Sequence, residues 1–295
     1  MRIVFFGMEG VFSRAPLWHL LQANVDVAAV IVPAMLPTSH GGDLRPLAPP
    51  RVRIDVPLLA PSAEPTIVGL AWQRGIPVFE VSRLKSQATR EALAALAPEA
   101  LAVACFPRLL PADLLAVPRL GGYNVHPSLL PAYRGPEPLF WVFHAGLERA
   151  GVTVHQLDAG ADTGDIAAQH SVALPDGIGY SDAQRRLSDV GGRLLVQVLA
   201  DAQAGRLTCQ PQPAMAAPAA PMPTDDDFRI DAGWTVRRAF NFMRGLAEWG
   251  QSFTIETNGG PLLAAGVADD GVADAPTASV ALADGRLRVR LAQPV

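Results

Sequence analysis

Residues 121–165 read GGYNVHPSLLPAYRGPEPLFWVFHAGLERAGVTVHQLDAGADTGD, and parsing this stretch as strand, stiff loop, helix, strand and acidic turn sets the fold class. If Gly122 to Val125 is extended, Asn124 and His126 project from the same face, because side chains alternate along a strand. Pro127 cannot donate to a ladder and ends the strand, while Pro131 and Gly135 make the loop beyond it stiff and non-repetitive. An amide and an imidazole are thus expected at a strand's end, facing a loop. Gly151 to Leu157 alternates as a further strand, after which Asp158, Gly160, Asp162, Gly164 and Asp165 form a glycine-punctuated turn. A carboxylate from that turn can face the same pocket.

Asn, His and Asp together suit acyl transfer without a covalent intermediate. When an amine attacks a formyl carbon, charge develops on the carbonyl oxygen, and N–H groups of a carboxamide and an imidazolium can stabilise it. The attacking nitrogen must lose a proton and the leaving nitrogen must gain one, tasks for Asp162 and His126 respectively. A hydrogen-bonded turn is the bland alternative, since Asn and Asp are common turn formers.

The run N-V-H-P-S-L-L-P from Asn124 to Pro131, continued by Tyr133-Arg-Gly and later by L-D-x-G-x-D-T-G-D-I from Leu157, resembles the folate-dependent formyltransferases, which include methionyl-tRNA and sugar-nucleotide N-formyltransferases. The resemblance implies that Asn124, His126 and Asp162 are the catalytic trio and that 10-formyltetrahydrofolate is the donor. It also implies folate contacts from Ser128, Leu129, Leu130 and Pro131.

Outward from this stretch, strands and helices alternate. Met1 to Gly7 reads as a strand, Ser13 as the N-cap of a helix reaching Ala23, and Val25 to Val32 as a second strand. Helix Thr66 to Arg74, strand Val78 to Val81, helix Gln87 to Leu96 and strand Leu101 to Phe106 continue the pattern. This predicts an α/β fold, a doubly wound, Rossmann-like and mostly parallel sheet. The glycine turn after the first strand lacks G-x-G-x-x-G, so a dinucleotide site is not expected. Residues 33–64, rich in proline with little periodicity, read as a loop and a candidate lid over the acceptor. Phe106 to Pro111 is similar to the family's pterin-pocket segment, with a plain strand-to-helix turn as the alternative. Ser181 with Gln184 reads as a capping box opening a long helix to about Gln203.

The Pro/Ala-rich run 210–224 reads as a semi-rigid linker, which divides the chain into a catalytic domain, 1–209, and a C-terminal domain, 225–295. There an amphipathic helix between Trp234 and Trp249, carrying Arg238-Ala-Phe-Asn241, and four short strands point to a small β-barrel-like domain, similar to one appended to family members.

With 49% apolar and 18% charged residues and a net charge of −4, the chain has an ordinary soluble composition that does not advertise nucleic-acid binding. No run is long and apolar enough to span a bilayer, and a strand beginning at Met1 leaves no signal-peptide pattern, so a cytoplasmic location is expected. Cys105 and Cys209 lack metal-type spacing and are expected to be buried thiols. No zinc, metalloprotease or Walker motif is present, so neither a metal nor a nucleotide triphosphate is expected.

The acceptor follows less directly. Residues 225–295 carry seven arginines against ten carboxylates, and the 33–64 loop offers only Arg45, Arg51 and Arg53 as cations. That balance favours a small amine, such as an amino sugar or amino acid derivative, over the initiator tRNA that the domain order would suit. A 10-formyltetrahydrofolate hydrolase or a folate-binding protein is the alternative from another class. Glu137 stands where relatives often have a small residue, and reads either as an acceptor contact or as a solvated carboxylate at a helix N-terminus. His155 is expected to support ligand contacts from its strand, while His19, His144 and His170 are read as structural.

Overall fold

The computed structural model describes residues 1–34, 43–49, 65–213, 217–268 and 276–292. The chain divides into two compact units: residues 1–126, 152–170 and 187–215 form the first, and 127–151, 171–186 and 216–295 the second. This division differs from a single boundary at 210–224. Part of the reason lies in the helix Pro138–His144, whose Phe140 ring lies 5.3 Å from Phe228 and 5.7 Å from Phe242 and so belongs to the aromatic core of the C-terminal segment.

In chain order the elements are β1 (Arg2–Gly7), α1 (Val11–Gln22), β2 (Asp26–Pro33), β3 (Leu44–Leu47), α2 (Ile67–Gln73), β4 (Val78–Val81), α3 (Gln87–Ala95), β5 (Ala100–Ala104), α4 (Ala112–Leu115), β6 (Gly122–His126), α5 (Pro138–His144), β7 (Arg149–Gln156), β8 (Ile166–Ala173) and α6 (Tyr180–Gln203). Then come β9 (Arg229–Ile230), α7 (Val236–Gly245), β10 (Phe253–Ile255), β11 (Leu262–Val267), β12 (Thr277–Leu282) and β13 (Gly285–Leu291).

The large sheet has the order β3-β4-β2-β1-β5-β6-β7-β8, parallel from β4 to β6, with β3 antiparallel to β4 and β7 antiparallel to β6. Strands β1, β2 and β5 are buried almost throughout and read as continuous apolar runs, as parallel strands covered on both faces do. Val4, Phe6, Ile31, Leu101 and Val103 pack with Leu93 of α3 and Leu114 of α4. The opposite face meets α1, α2 and α6: a Cβ on Gly7 would meet Ile67 and Ser13, and one on Gly191 would meet Val125 and Val152. Strand order reverses between β1 and β5, where doubly wound sheets bind ligands beyond the strands' carboxyl ends.

Several local expectations are corrected. Helix α1 starts at Val11, so Ser13 lies inside it, fully buried, and its hydroxyl accepts from Met8 N and donates to the Ala104 carbonyl. Serine is there to tie two strand ends together, a tertiary task that an N-cap rule cannot anticipate. Likewise α6 begins at Tyr180, which puts Ser181 in its first turn, donating to the Glu248 carboxylate rather than closing a box with Gln184. The 33–64 loop contains an edge strand, β3, which hides its pairing in sequence because it is only four residues long. Arg45 on it pairs with Glu80 at 2.6 Å, whereas Arg51, Arg53 and most of the expected lid lie outside the described residues. Cys105 is exposed, since β5 ends at Ala104, and Cys209 is half-buried. Arg108 donates to the carbonyls of Val81 and Ser82, so the segment after Phe106 is anchored to the end of β4.

In the second unit, α7 packs against a five-stranded sheet of order β12-β13-β11-β10-β9. No ladder joins β12 to β9 among the described residues, so the barrel-like region is an open sheet there. The Arg238-Ala-Phe-Asn241 signature is explained by packing. Arg238 lies over the Trp234 ring at 3.6 Å and donates to the His144 carbonyl. Asn241 accepts from Gly177 N and donates to Asp176. His144 is structural as expected, half-buried among Trp141, Trp234 and Phe242, and burial, then the Arg238 charge, holds its pKa below the usual value.

The Pro/Ala-rich run is more than a tether. Its start, Gln210, exchanges two backbone hydrogen bonds with Ile166 in the first unit. In the second unit Ala220 N donates to Arg134 O and Glu137 N to Ala220 O, and Gly135 at φ +124 has no room for a Cβ, which would lie 2.6 Å from the Ala220 carbonyl. No helix among the described residues is long and apolar enough to cross a membrane.

Candidate functional site

Asn124 lies at the middle and His126 at the end of β6, at the carboxyl end of the parallel region. The antiparallel register with β7 places His155 opposite Asn124 and Thr153 opposite His126, so all four side chains share one face. The turn after β7 then brings Asp162 back. Its Oδ1 lies 3.4 Å from Asn124 Nδ2, 3.6 Å from His126 Nδ1 and 3.5 Å from His155 Nε2. The structure therefore gathers Asn124, His126 and Asp162, the three residues singled out in sequence, around a single carboxylate oxygen.

Burial sharpens the electrostatics of this cluster. The side chains of His126 and His155 are 5% and 1% exposed and that of Asp162 is 17% exposed, so the carboxylate meets the imidazoles where water screens little. Asp162 alone of the three keeps a path to solvent.

His155, expected to support ligand contacts, is tied to Asn124 and to its own strand. Its Nδ1 lies 2.8 Å from the Gln156 carbonyl, which can only accept, so Nδ1 carries the proton. With that tautomer its Nε2 accepts from Asn124 Nδ2 at 3.1 Å. That bond fixes which end of the Asn124 carboxamide is nitrogen. Almost completely buried, His155 holds Asn124 in place.

The turn carrying Asp162 is built for it. The Asp158 carboxylate accepts from Gly160 N at 3.0 Å and from the Thr163 hydroxyl at 2.8 Å, the turn-closing role expected of it. A Cβ on Gly164 would collide with the Gln156 carbonyl, which explains the glycine. Asp162 itself adopts a left-handed backbone, φ +56, and Gln212 donates to the carbonyls of Asp162 and Gly164 at 2.8 and 2.7 Å. Sequence reasoning passed over Gln212; no local pattern marks it, lying as it does in a segment read as linker.

Ser128, Leu129, Leu130 and Pro131 fall in the second unit. Ser128 is buried and donates to the Ala132 carbonyl at 2.7 Å, Leu130 is buried, Leu129 is 40% exposed, and the Leu130–Pro131 peptide is cis. Glu137, at the N-cap of α5, is not a solvated carboxylate. It accepts a hydrogen bond from the Tyr180 hydroxyl, and burial pushes its pKa above the usual range, a rise the Tyr180 bond only partly offsets. Among the described residues no cluster of three or more His, Cys, Asp or Glu is arranged to hold a metal ion.

Residues 1–199 match the family model described as formyl transferase. Over 256 residues the chain is 32% identical to the methionyl-tRNA formyltransferase of Acidobacterium capsulatum, covering 86% of this chain and 76% of that protein. Among solved structures, WlaRD, a sugar 3N-formyl transferase crystallised with dTDP and 5-N-formyl-THF, aligns with a TM-score of 0.63 at 15% identity, over 99% of this chain and 97% of that one. HypX from Aquifex aeolicus aligns with a TM-score of 0.58 at 16% identity; there this chain is covered to 98% but spans only 45% of the other.

Proposed function

The chain belongs to the formyl transferase family, and from that premise we propose that it moves a formyl group from 10-formyltetrahydrofolate to a primary amine, with Asn124, His126 and Asp162 as its catalytic residues. The observation that carries this reading is the convergence of two N–H-bearing side chains on one half-buried carboxylate oxygen, at 3.4 and 3.6 Å. The donor supplies the formyl carbon, whose bond to the folate nitrogen breaks as its bond to the amine nitrogen forms.

The residues divide the work. Asp162, whose side chain is 17% exposed, takes the proton lost by the attacking amine, directly or through a water molecule. His126 delivers a proton to the departing folate nitrogen. The Asn124 amide and the His126 imidazolium offer N–H groups to the formyl oxygen as it gains charge, and one such donor is worth roughly 10²–10³ in rate. Their fit to a polar acyl group lies in their chemistry: two donors and one base on a single face, with His155 fixing the carboxamide. Ser128 to Pro131 are the residues we assign to the folate.

For the acceptor we favour a small-molecule amine. Two arginines of the second unit are each paired with two carboxylates within it: Arg237 binds Asp176 and Glu148, and Arg229 binds Asp226 and Glu256. A second reading, initiator methionyl-tRNA, is favoured by the relatives' names and by a row of arginines on β13. Arg286, Arg288 and Arg290 recur at every second residue, opposite Ala281, Ser279 and Thr277 of β12, with Arg286 donating to Ser279 and Arg288 to Thr277.

Purified protein given 10-formyltetrahydrofolate alone, and then with an amino-sugar nucleotide, an amino acid or methionyl initiator tRNA, decides between these. Amine-dependent release of tetrahydrofolate is expected. Release of formate without amine at the same rate would make the protein a hydrolase, and tRNA formylation with binding that weakens steeply with salt would replace the small amine.

A further inference from the structure

We propose that Gln212 is a positioning residue that holds Asp162 at the reacting centre through its main chain. Asp162 sits in the left-handed region, φ +56, which a non-glycine residue keeps only where the surroundings hold it there. The Gln212 Nε2 group supplies that hold, giving one hydrogen to Asp162 O at 2.8 Å and the other to Gly164 O at 2.7 Å, so that one amide brackets the turn from both sides of Thr163. Both acceptors are carbonyls that cannot donate, so only the NH2 end of the side chain fits, and its orientation is fixed by chemistry.

The approach is built rather than incidental. Gln210 exchanges two backbone hydrogen bonds with Ile166, N to O at 2.9 Å and O from N at 2.8 Å, so the segment is in register with β8 two residues before Gln212. From the other side, Gln156 N donates to Asp165 O at 2.8 Å, and Gly164 is packed against the Gln156 carbonyl. The turn is thus gripped by β7 and by a chain segment 48 to 50 residues downstream. A rotation of the Asp162 backbone would swing Oδ1 away from Asn124 and His126, from which it stands 3.4 and 3.6 Å. Gln212 acts on the reaction only through Asp162.

This inference rests on the catalytic reading of Asp162, and the experiment separates the two. Three variants are compared with wild type: Gln212→Met, equal in length without an amide; Gln212→Glu, equal in shape but presenting oxygens to two carbonyls; and Gln212→Met combined with Asp162→Asn. Turnover is read as tetrahydrofolate released from 10-formyltetrahydrofolate with the fastest amine of the panel above. Hydrogen exchange of the 157–165 amides and the thermal midpoint are read on the same proteins without ligand. The expected result is a fall in kcat for Gln212→Met, and a larger one for Gln212→Glu of up to roughly 10²-fold, the scale of a misplacement of about 1 Å. Faster exchange confined to 157–165, an unchanged KM for the donor and a thermal midpoint close to wild type should accompany it. The double variant should be no slower than Asp162→Asn alone, because a residue acting only through a carboxylate has nothing left to position. Multiplicative losses in the double variant, or a normal kcat in Gln212→Glu while Asp162→Asn is impaired, would overturn the positioning role and leave the catalytic reading intact. A normal rate in Asp162→Asn would remove both.

Discussion

Asn124 Nδ2 and His155 Nε2 stand 3.1 Å apart, directly opposite each other on β6 and β7, with the far nitrogen of His155 bonded to the Gln156 carbonyl. The histidine is therefore a buried acceptor that aims a carboxamide. Replacing it by leucine removes that acceptor without adding bulk, and leaves the Asn124 amide held only by its longer contact with Asp162. We expect His155→Leu to lower kcat by about 10²-fold or less with little change in donor KM, and steady-state kinetics will check it. An unchanged kcat would mean that Asn124 is oriented by something else.

The trio itself makes sharper demands. His126→Ala and Asp162→Asn should each lower kcat by about two orders of magnitude or more, the range for removal of an acid or base. Asn124→Ala should raise the barrier by about 2.7–4 kcal/mol, as loss of one oxyanion donor does. Donor affinity, measured by titration, should stay near wild type in all three, because these groups act chiefly on the transition state. Wild-type rates throughout would mean that the reacting centre is elsewhere.

Glu137 predicts a pH dependence. Burial raises its folded-state pKa above the ordinary value of 4.5, so the folded protein favours the protonated form. The corresponding stability is fully present below pH 4.5 and is lost as pH rises through the folded pKa. Glu137→Gln keeps an acceptor for the Tyr180 hydroxyl and removes the charge. Thermal unfolding followed against pH should show a shallower fall in stability above pH 4.5 for the variant than for wild type. Superimposable profiles would show that the carboxylate is solvated after all.

Gly135 predicts a cost of another kind. At φ +124 and hard against the Ala220 carbonyl, it can take no side chain without displacing the 217–221 segment that pairs with it. Gly135→Ala should destabilise the protein by at least about 1 kcal/mol from backbone strain alone. A denaturant titration in which its midpoint matches wild type would contradict that.

Much of the fold was legible because its signals are local. Alternation of apolar strands with helices announced the parallel sheet, and the helices read from Thr66 and Gln87 do begin there, with Thr66 and Ser86 accepting from Gly69 N and Thr89 N as N-caps. Two residues of strand spacing and a terminating proline put Asn124 and His126 on one face at a strand's end. The Asp and Gly spacing of residues 158–165 announced a turn whose glycines are sterically required.

What the sequence by itself determined, then, is which segments are strands, helices and turns, and which polar side chains leave them together, since these follow from backbone periodicity and from the steric rules of proline and glycine. Only the tertiary structure decided the partners. Ser13 reaches Ala104, 91 residues away, and Gln212 reaches Asp162, 50 residues away. His155 meets Asn124 only because β7 runs antiparallel to β6 in one particular register. The Pro/Ala-rich run reads as linker by composition, yet its backbone groups find acceptors and donors at Ile166 and Arg134. Composition records a segment's own preferences, whereas a hydrogen bond across fifty residues depends on where packing and strand register bring the second group.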